Sequence, residues 1–280
     1  MLIAVAHLLF VLIAGKLYAG SYASPWVQGQ NSSLRLIAAG GGPSQGVYRA
    51  GVEIRLEPGA LTYWRMPGSA GAPPVFSFEG SANLKGAEVL YPAPSRFEEE
   101  GSEVFGYRGQ VIFPLRVAAA DPARPVRLAL RLSYAVCAKI CLPVEGNATL
   151  DLEPSGRGNS ADSDASAEAL SAAEALVPHP LTPQQRDALV SVTLESAGPV
   201  PSWRLSLRRS GSDDVFAEGP PGWYIETGKI GPDEYLLKAV EKPPAEEEAS
   251  VAVTVKDKRQ SYEFTAALAL PVAPKDSAGR

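Results

Sequence analysis

Two cysteines, Cys137 and Cys141, lie four positions apart and are the only cysteines in the 280-residue sequence. A pair of thiols can form a disulfide, exchange disulfides with a partner, or bind a soft metal ion. Four residues along a straight strand span about 13 Å, whereas a disulfide needs Cα atoms about 4.4 to 6.8 Å apart. The two cysteines can therefore bond only if the chain turns between them.

The segments on either side of the pair predict such a turn. Strand-like sequences, "RLALRLSYAV" and "LPVEGNATLDL", flank a three-residue loop at 138–140, and Pro143 indicates an edge or irregular return strand. A ring this small stabilises a folded chain by only on the order of 2 kcal/mol. Tight, exposed disulfides are often reducible, which suits exchange chemistry, and Lys139 in the loop would weakly favour a thiolate.

Three explanations of the pair remain open on spacing alone: a structural disulfide at a hairpin tip, thiol–disulfide exchange, and metal binding. A Cys-x3-Cys pair with a distant histidine can bind copper. His7, however, lies in the apolar amino-terminal segment, and His179, the other histidine, lies beside prolines. We therefore expect no metal and no cofactor.

Bulk composition indicates an ordinary globular protein. The net charge of -5 is mild, and 45% of the residues are hydrophobic, so neither nucleic acid nor an anionic membrane surface is expected as a partner. The counts of 26 glycines and 25 prolines favour an all-β chain rich in turns. A chain of this length does not need disulfides to compensate for a small core.

The amino terminus predicts a secretory signal peptide. Its apolar run, "MLIAVAHLLFVLIAG", is shorter than the ~20 residues of a membrane-spanning helix, and small residues follow, with Ala19 or Ala23 as the last residue removed. A retained anchor or a buried segment are the alternatives, because Lys16 follows the run and no basic residue precedes it. We expect a periplasmic protein without tight membrane association after cleavage.

Hydrophobic periodicity predicts two antiparallel β-sandwich domains of immunoglobulin-like type, joined by a linker. In "GQVIFPLRV" the apolar residues alternate, as they do in "VRLALRLSYAV". The predicted boundaries are a signal peptide at 1–23, a first sandwich at 24–153, a linker with short helical segments at 154–187, a second sandwich at 188–273 and a tail at 274–280. Within the linker, Thr182 is the expected N-cap of a short helix that begins at Pro183.

Three stretches within residues 26–153 form a recognisable pattern: "TYWRMPGSAGAPPVFSFEGSANLKGAEVLYPAPSRF", "GYRGQVIFPLRV" and "LSYAVCAKICLPVEGNATLDL". The most specific part of this pattern is Y-x-x-C-x-x-x-C-x-P. With these stretches, residues 26–153 resemble the amino-terminal periplasmic domain of the DsbD and ScsB group of protein-disulfide reductases. The resemblance implies that Cys137 and Cys141 are a redox pair. The pair would pass electrons from a membrane-embedded donor to periplasmic thioredoxin-like proteins. Because the sequence has no multi-span segment and no further cysteines, the donor is expected in a separate chain.

The resemblance also implies aromatic residues around the pair. The loop between "PAPS" and "GYRG" would cap the disulfide, with Phe97 or Phe105 as the capping residue. Tyr63, Trp64 and Tyr134 are further candidates for contact with the pair or with a partner, and ordinary core packing is the alternative for them.

The predicted activity is thus that of a thiol–disulfide oxidoreductase. Two alternatives stay open: a non-catalytic binding or scaffold module with a structural disulfide, and a copper-handling protein that uses the thiol pair. The second sandwich has no cysteine and is interpreted as a domain that positions a partner.

Overall fold

A computed structural model describes residues 22–154, 161–208, 211–243 and 248–270. Nearly all of the predicted signal peptide and the whole predicted tail at 274–280 lie outside these residues, so both remain predictions. Within the described ranges, no helix has the length and apolar character needed to cross a membrane.

The amino-terminal half is a sandwich of two sheets. Its strands are β1 (Val27–Gly29), β2 (Ser32–Ala38), β3 (Val47–Leu56), β4 (Leu61–Gly68), β5 (Val75–Ser77), β6 (Leu84–Val89), β7 (Ser95–Glu99), β8 (Ser102–Arg108), β9 (Gln110–Ala119), β10 (Val126–Cys137) and β11 (Cys141–Leu152). One sheet has the order β1-β2-β3-β9-β6. The other has the order β11-β10-β4-β8-β7, with β5 paired to β10.

Alternating side chains build the core between these sheets. In β10 every second residue is buried, while Arg127 and Arg131 face solvent, as predicted. In β9 the predicted core face is buried, and Ile112 is buried on the opposite face as well. Phe113 lies at the centre of the core and makes edge-to-face contacts with Phe76, Tyr91 and Tyr107 at centroid distances of 5.3 to 5.4 Å.

The segment after the first sandwich, predicted as a linker with short helical segments, contains a 15-residue helix. Helix α1 (Ala161–Ala175) packs on the outer face of the sheet that contains β2, β3 and β9. Leu170 and Ala173 are buried there against Ile37 and Ile112. Alanine-rich sequence hides this contact, because small apolar residues on one helix face give a weak amphipathic pattern.

The carboxy-terminal half is a second sandwich. Its elements are β12 (His179–Pro180), α2 (Pro183–Leu189), β13 (Val190–Ser196), β14 (Ser202–Leu207), β15 (Ser212–Glu218), β16 (Tyr224–Gly231), β17 (Glu234–Glu241), β18 (Glu248–Asp257) and β19 (Tyr262–Ala269). The sheets have the orders β12-β19-β18-β15 and β13-β14-β17-β16, and only the short β12–β19 pairing is parallel among the described strands. The all-β prediction with two antiparallel, immunoglobulin-like sandwiches is confirmed.

Helix α2 begins as the sequence predicts. The Thr182 hydroxyl accepts a hydrogen bond from the Gln185 backbone N–H at 3.3 Å, and the Gln185 side-chain oxygen accepts one from the Thr182 N–H at 2.9 Å. This reciprocal pair is a capping box, which satisfies two backbone donors that a helix start leaves free. It fixes the start of α2 between β12 and β13.

Candidate functional site

The two cysteines form a disulfide at the tip of the β10–β11 hairpin. The strands pair in continuous register from Val126 opposite Leu152 to Cys137 opposite Cys141, and residues 138–140 make the turn. The two Cα atoms are 4.0 Å apart. The predicted hairpin is confirmed, as is the place of Pro143 in an edge strand, because β11 ends its sheet.

The two sulfur-bearing residues differ in exposure. Cys137 is 1% exposed and belongs to a small cluster on the outer face of its sheet, with Leu61, Tyr63 and Val104. Cys141 is exposed. An approaching thiolate therefore reaches Cys141 more readily than Cys137, an asymmetry that sequence spacing does not reveal. We call Leu61, Tyr63, Val104 and Cys137 the outer cluster.

Tyr63 connects the disulfide to a carboxylate. Its hydroxyl oxygen lies 2.7 Å from the Cys137 Sγ and 3.5 Å from the Cys141 Sγ, and its hydroxyl donates to the Glu99 carboxylate at 3.0 Å. Burial first, and then the hydrogen bond and charge of Glu99, raise the pKa of Tyr63 well above its usual value of 10.0. The phenol thus stays protonated, and keeps a hydrogen to donate, across the neutral pH range.

A tight turn places Glu99 beside the sulfurs. Strands β7 and β8 form a hairpin in which Glu99 pairs with Ser102. The two residues between them, Glu100 and Gly101, have φ angles of 49° and 81°. Such two-residue turns need positive φ at both central positions, which glycine supplies without strain. The expected capping loop is therefore a β-hairpin. No pattern in the sequence singled out its Glu99 as a residue of the site.

The aromatic candidates occupy different places. Phe97 is half-buried against the outer cluster, and the Arg108 guanidinium lies 4.4 Å from its ring centroid. Tyr63 contacts the sulfurs directly. Their roles in a reaction remain predictions.

Three other candidates point elsewhere. Trp64 and Phe105 are buried in the main core between the sheets, on the opposite side from the outer cluster. Tyr134 lines a groove next to Cys141, but its hydroxyl bonds to Ser32 at 2.8 Å in the core. Because successive strand residues face opposite sides, Tyr63 and Trp64 could not both contact the disulfide.

An apolar groove of about 480 Å³ opens beside the exposed sulfur. Its lining includes Cys141, Pro73, Val75, Leu142 and Pro143. Val75 is 63% exposed, and Ile140 at the hairpin tip is 66% exposed. Large apolar side chains that stay exposed around a reactive sulfur are typical of a surface that a partner covers.

Glu99, Cys137 and Cys141 form the group of possible metal ligands found in the described part of the chain. A Glu99 carboxylate oxygen and the two Sγ atoms lie within 4.8 Å of one another. In the disulfide form the sulfurs are bonded to each other. Only the reduced pair, with Glu99, offers a ligand set of the soft type.

Comparisons with known proteins find two similarities. Residues 39–153 match the family model described as "Thiol:disulfide interchange protein DsbD, N-terminal". No curated protein matches the chain. Among solved structures, the N-terminal periplasmic domain of ScsB from Proteus mirabilis is similar, with a TM-score of 0.67 and 20% identity. The match covers 89% of this chain and 99% of that one, and at this identity it concerns the fold. Over residues 39–153 the chain is therefore similar to the amino-terminal domain of the DsbD thiol:disulfide interchange family.

Proposed function

We propose that the chain is a periplasmic thiol–disulfide relay. In this role Cys137 and Cys141 accept electrons from a membrane-embedded donor in a separate chain and pass them to thioredoxin-like proteins. The observation that carries the proposal is the pairing of one exposed sulfur with one buried sulfur hydrogen-bonded to Tyr63. The family match and the periplasmic location of the ScsB relative support it.

The difference in exposure between the two sulfurs supports different roles for them in reduction. A donor thiolate attacks the Cys141 Sγ, a new S–S bond forms between donor and Cys141, and the Cys137–Cys141 bond breaks with its electron pair on Cys137. The donor's second thiolate then attacks the donor sulfur of the mixed disulfide and releases Cys141. The donor dithiol is oxidised to a disulfide and the cysteine pair is reduced to a dithiol.

The return reaction uses the same sulfur. The Cys141 thiolate attacks the acceptor's disulfide, which gives a mixed disulfide and an acceptor thiolate. Cys137 then attacks Cys141, so that the intramolecular disulfide re-forms and the second acceptor sulfur leaves. Two electrons pass to the acceptor in each cycle.

Tyr63 is suited to stabilise Cys137 as a leaving group. A buried thiolate is costly unless a donor faces it, and the Tyr63 hydroxyl lies 2.7 Å from that sulfur. Glu99 competes for the same hydrogen, since the phenol has one proton to donate. A shift of this hydrogen from Glu99 to Cys137 would accompany opening of the disulfide.

Single-cysteine variants provide the test. We expect Cys137→Ser to capture thioredoxin-like proteins from periplasmic extracts as adducts that reducing agent releases, with the adduct on Cys141 identified by mass spectrometry. Cys141→Ser is the matched control, and it should capture far less because Cys137 is buried. Equal capture by both variants, or none by either, would contradict the proposed roles.

The midpoint potential of the pair separates the relay from a scaffold with a structural disulfide. A value between about -270 and -120 mV would place the pair among exchange proteins. A value below about -300 mV would make the bridge structural and would overturn the relay. Equilibration in graded thiol–disulfide buffers, followed by counting of alkylated thiols, measures it.

Copper handling is a second candidate, favoured by the closeness of Glu99 to both sulfurs. It predicts one Cu(I) bound per reduced chain and none after alkylation of the thiols. Weaker Cu(I) binding by Glu99→Gln would support the carboxylate as a ligand, whereas no Cu(I) uptake by the reduced wild type would exclude this function.

A further inference from the structure

The strands that carry the contacts of the disulfide also touch the second sandwich. Strand β4 presents Tyr63 to the sulfurs, and β7 presents Phe97 and Glu99 to the same side. The residues next to these, Trp64 on β4 and Arg96 on β7, face the other way because side chains alternate along a strand. Both of them contact the second sandwich.

Arg96 of β7 forms a dense set of bonds there. Its guanidinium is bidentate to Asp214 at 2.9 and 3.0 Å. It also donates to the Val215 carbonyl at 3.0 Å and to the Thr227 hydroxyl at 2.9 Å. Bidentate arginine–carboxylate pairs fix orientation as well as distance. The face of β7 opposite to Phe97 and Glu99 is thus held by β15 and β16.

Arg65 of β4 makes the corresponding contact with two carboxylates. Its guanidinium donates to Glu218 of β15 at 2.6 to 3.0 Å and to Glu263 of β19. The arginine lies two residues beyond Tyr63. Both strands that reach the disulfide are therefore anchored by an arginine to acidic residues of the second sandwich.

An aromatic side chain of the second sandwich completes the junction. Phe216 of β15 is fully buried within the core of the first sandwich. It makes edge-to-face contacts with Trp64 of β4 at 5.7 Å and with Phe105 of β8 at 4.9 Å. Such contacts stabilise an interface beyond the apolar area that they bury.

We propose that the second sandwich is a positioning domain for the redox pair. It contacts the faces of β4 and of the β7–β8 hairpin that lie opposite to the disulfide. These contacts keep Tyr63, Phe97 and Glu99 against Cys137. Strand β7 ends its sheet and pairs with β8 alone. An edge strand of this kind leaves one row of its backbone hydrogen-bonding groups unpaired. The inference rests on the proposed function in that it explains how Cys137 stays shielded while Cys141 reacts.

A double variant in the second sandwich tests this role without touching the disulfide. Asp214→Asn with Glu218→Gln removes one carboxylate partner from each arginine. Glu195→Gln with Glu234→Gln is the matched control, because these two carboxylates pair with Arg204 inside the second sandwich. The readout is the rate at which iodoacetamide alkylates Cys137 in the reduced full chain.

We expect Cys137 to be alkylated roughly tenfold faster in the first variant, because weaker charge-assisted bonds lower the free energy of local opening. The control should keep the wild-type rate. Alkylation of Cys141 should change in neither. Equal Cys137 rates in both variants and the wild type, under conditions where all are folded by circular dichroism, would overturn the positioning role.

The outcome is independent of the relay. Alkylation needs no partner and no particular potential, so a pair that exchanges with nothing would still report whether the second sandwich shields Cys137. Conversely, a positioning role that fails here would leave the capture experiment with Cys137→Ser unaffected. Phe216→Leu offers a second variant that tests the same junction through packing rather than charge.

Discussion

The two sandwiches differ in where their buried apolar residues lie. The second sandwich holds its described buried apolar residues in one cluster between its sheets, apart from Phe216, which enters the core of the first. The first has such a core and two further clusters on its outer faces, one beneath α1 and one around Cys137. The buried cysteine of the pair therefore belongs to an added layer outside the main core. This separation implies that a substitution near the cysteines can change their reactivity with little loss of stability. It also implies that a substitution in the main core can lower stability with little change in their reactivity.

The largest expected effect is on the main core. Phe113→Ala removes a fully buried ring, and we expect the free energy of unfolding to fall by about 3 to 5 kcal/mol. Urea denaturation measures this. Phe97→Ala, on the half-buried outer layer, is the comparison and should cost clearly less. Equal losses would show that the outer cluster is an integral part of the core.

Loss of the disulfide should cost less than loss of Phe113. The ring that it closes spans only Cys137 to Cys141, so Cys137→Ala with Cys141→Ala should lower the free energy of unfolding by on the order of 2 kcal/mol at most. Urea denaturation of the oxidised wild type and the double variant gives the difference. A cost equal to that of Phe113→Ala would favour a structural staple.

A single hydroxyl should alter the reaction more than the stability. Tyr63→Phe removes the donor beside Cys137, and we expect reduction of the disulfide by dithiothreitol to slow roughly tenfold, as for loss of a hydrogen bond to a charged group. Tyr134→Phe is the matched control. It removes a buried hydroxyl that bonds Ser32 instead, and its reduction rate should equal that of the wild type.

If both variants reduced at the wild-type rate, the leaving-group role of Tyr63 would be wrong. If both slowed alike, the effect would come from the fold rather than from the sulfur contact.

The smallest expected effect is on stability at alkaline pH. Burial raises the pKa of Tyr63, and of other tyrosines in the first sandwich, above 10.0. The unfolded chain then loses phenolic protons first, so stability falls as pH rises above about 10. Tyr63→Phe should make this fall shallower, as urea denaturation at about pH 8 and about pH 10.5 would show. An unchanged slope would contradict the raised pKa.

Local features of the site could be predicted from the sequence. The hairpin around residues 138–140 follows from two strand-like segments and the short distance that a disulfide allows. Alternation along β10 and the N-cap at Thr182 are likewise local patterns, and the structure confirms them.

Contacts between distant strands could not be predicted in this way. Glu99 reaches Tyr63 across 36 positions, and Arg96 reaches Asp214 across 118. Such contacts depend on sheet order and on how the two sandwiches meet, which no periodicity encodes. Alternation alone could have separated Tyr63 from Trp64, because adjacent strand residues face opposite sides.

Pro143 has a consequence for how long a partner stays bound. Strand β11 is a 12-residue edge strand, and such edges can recruit a strand from another chain and aggregate. A proline two residues from Cys141 removes one backbone donor from this edge, which makes continuous strand addition unfavourable there. In the proposed relay, a partner would then be held by side chains and by the transient S–S bond rather than by a ladder of backbone bonds. The consequence would be faster dissociation after exchange.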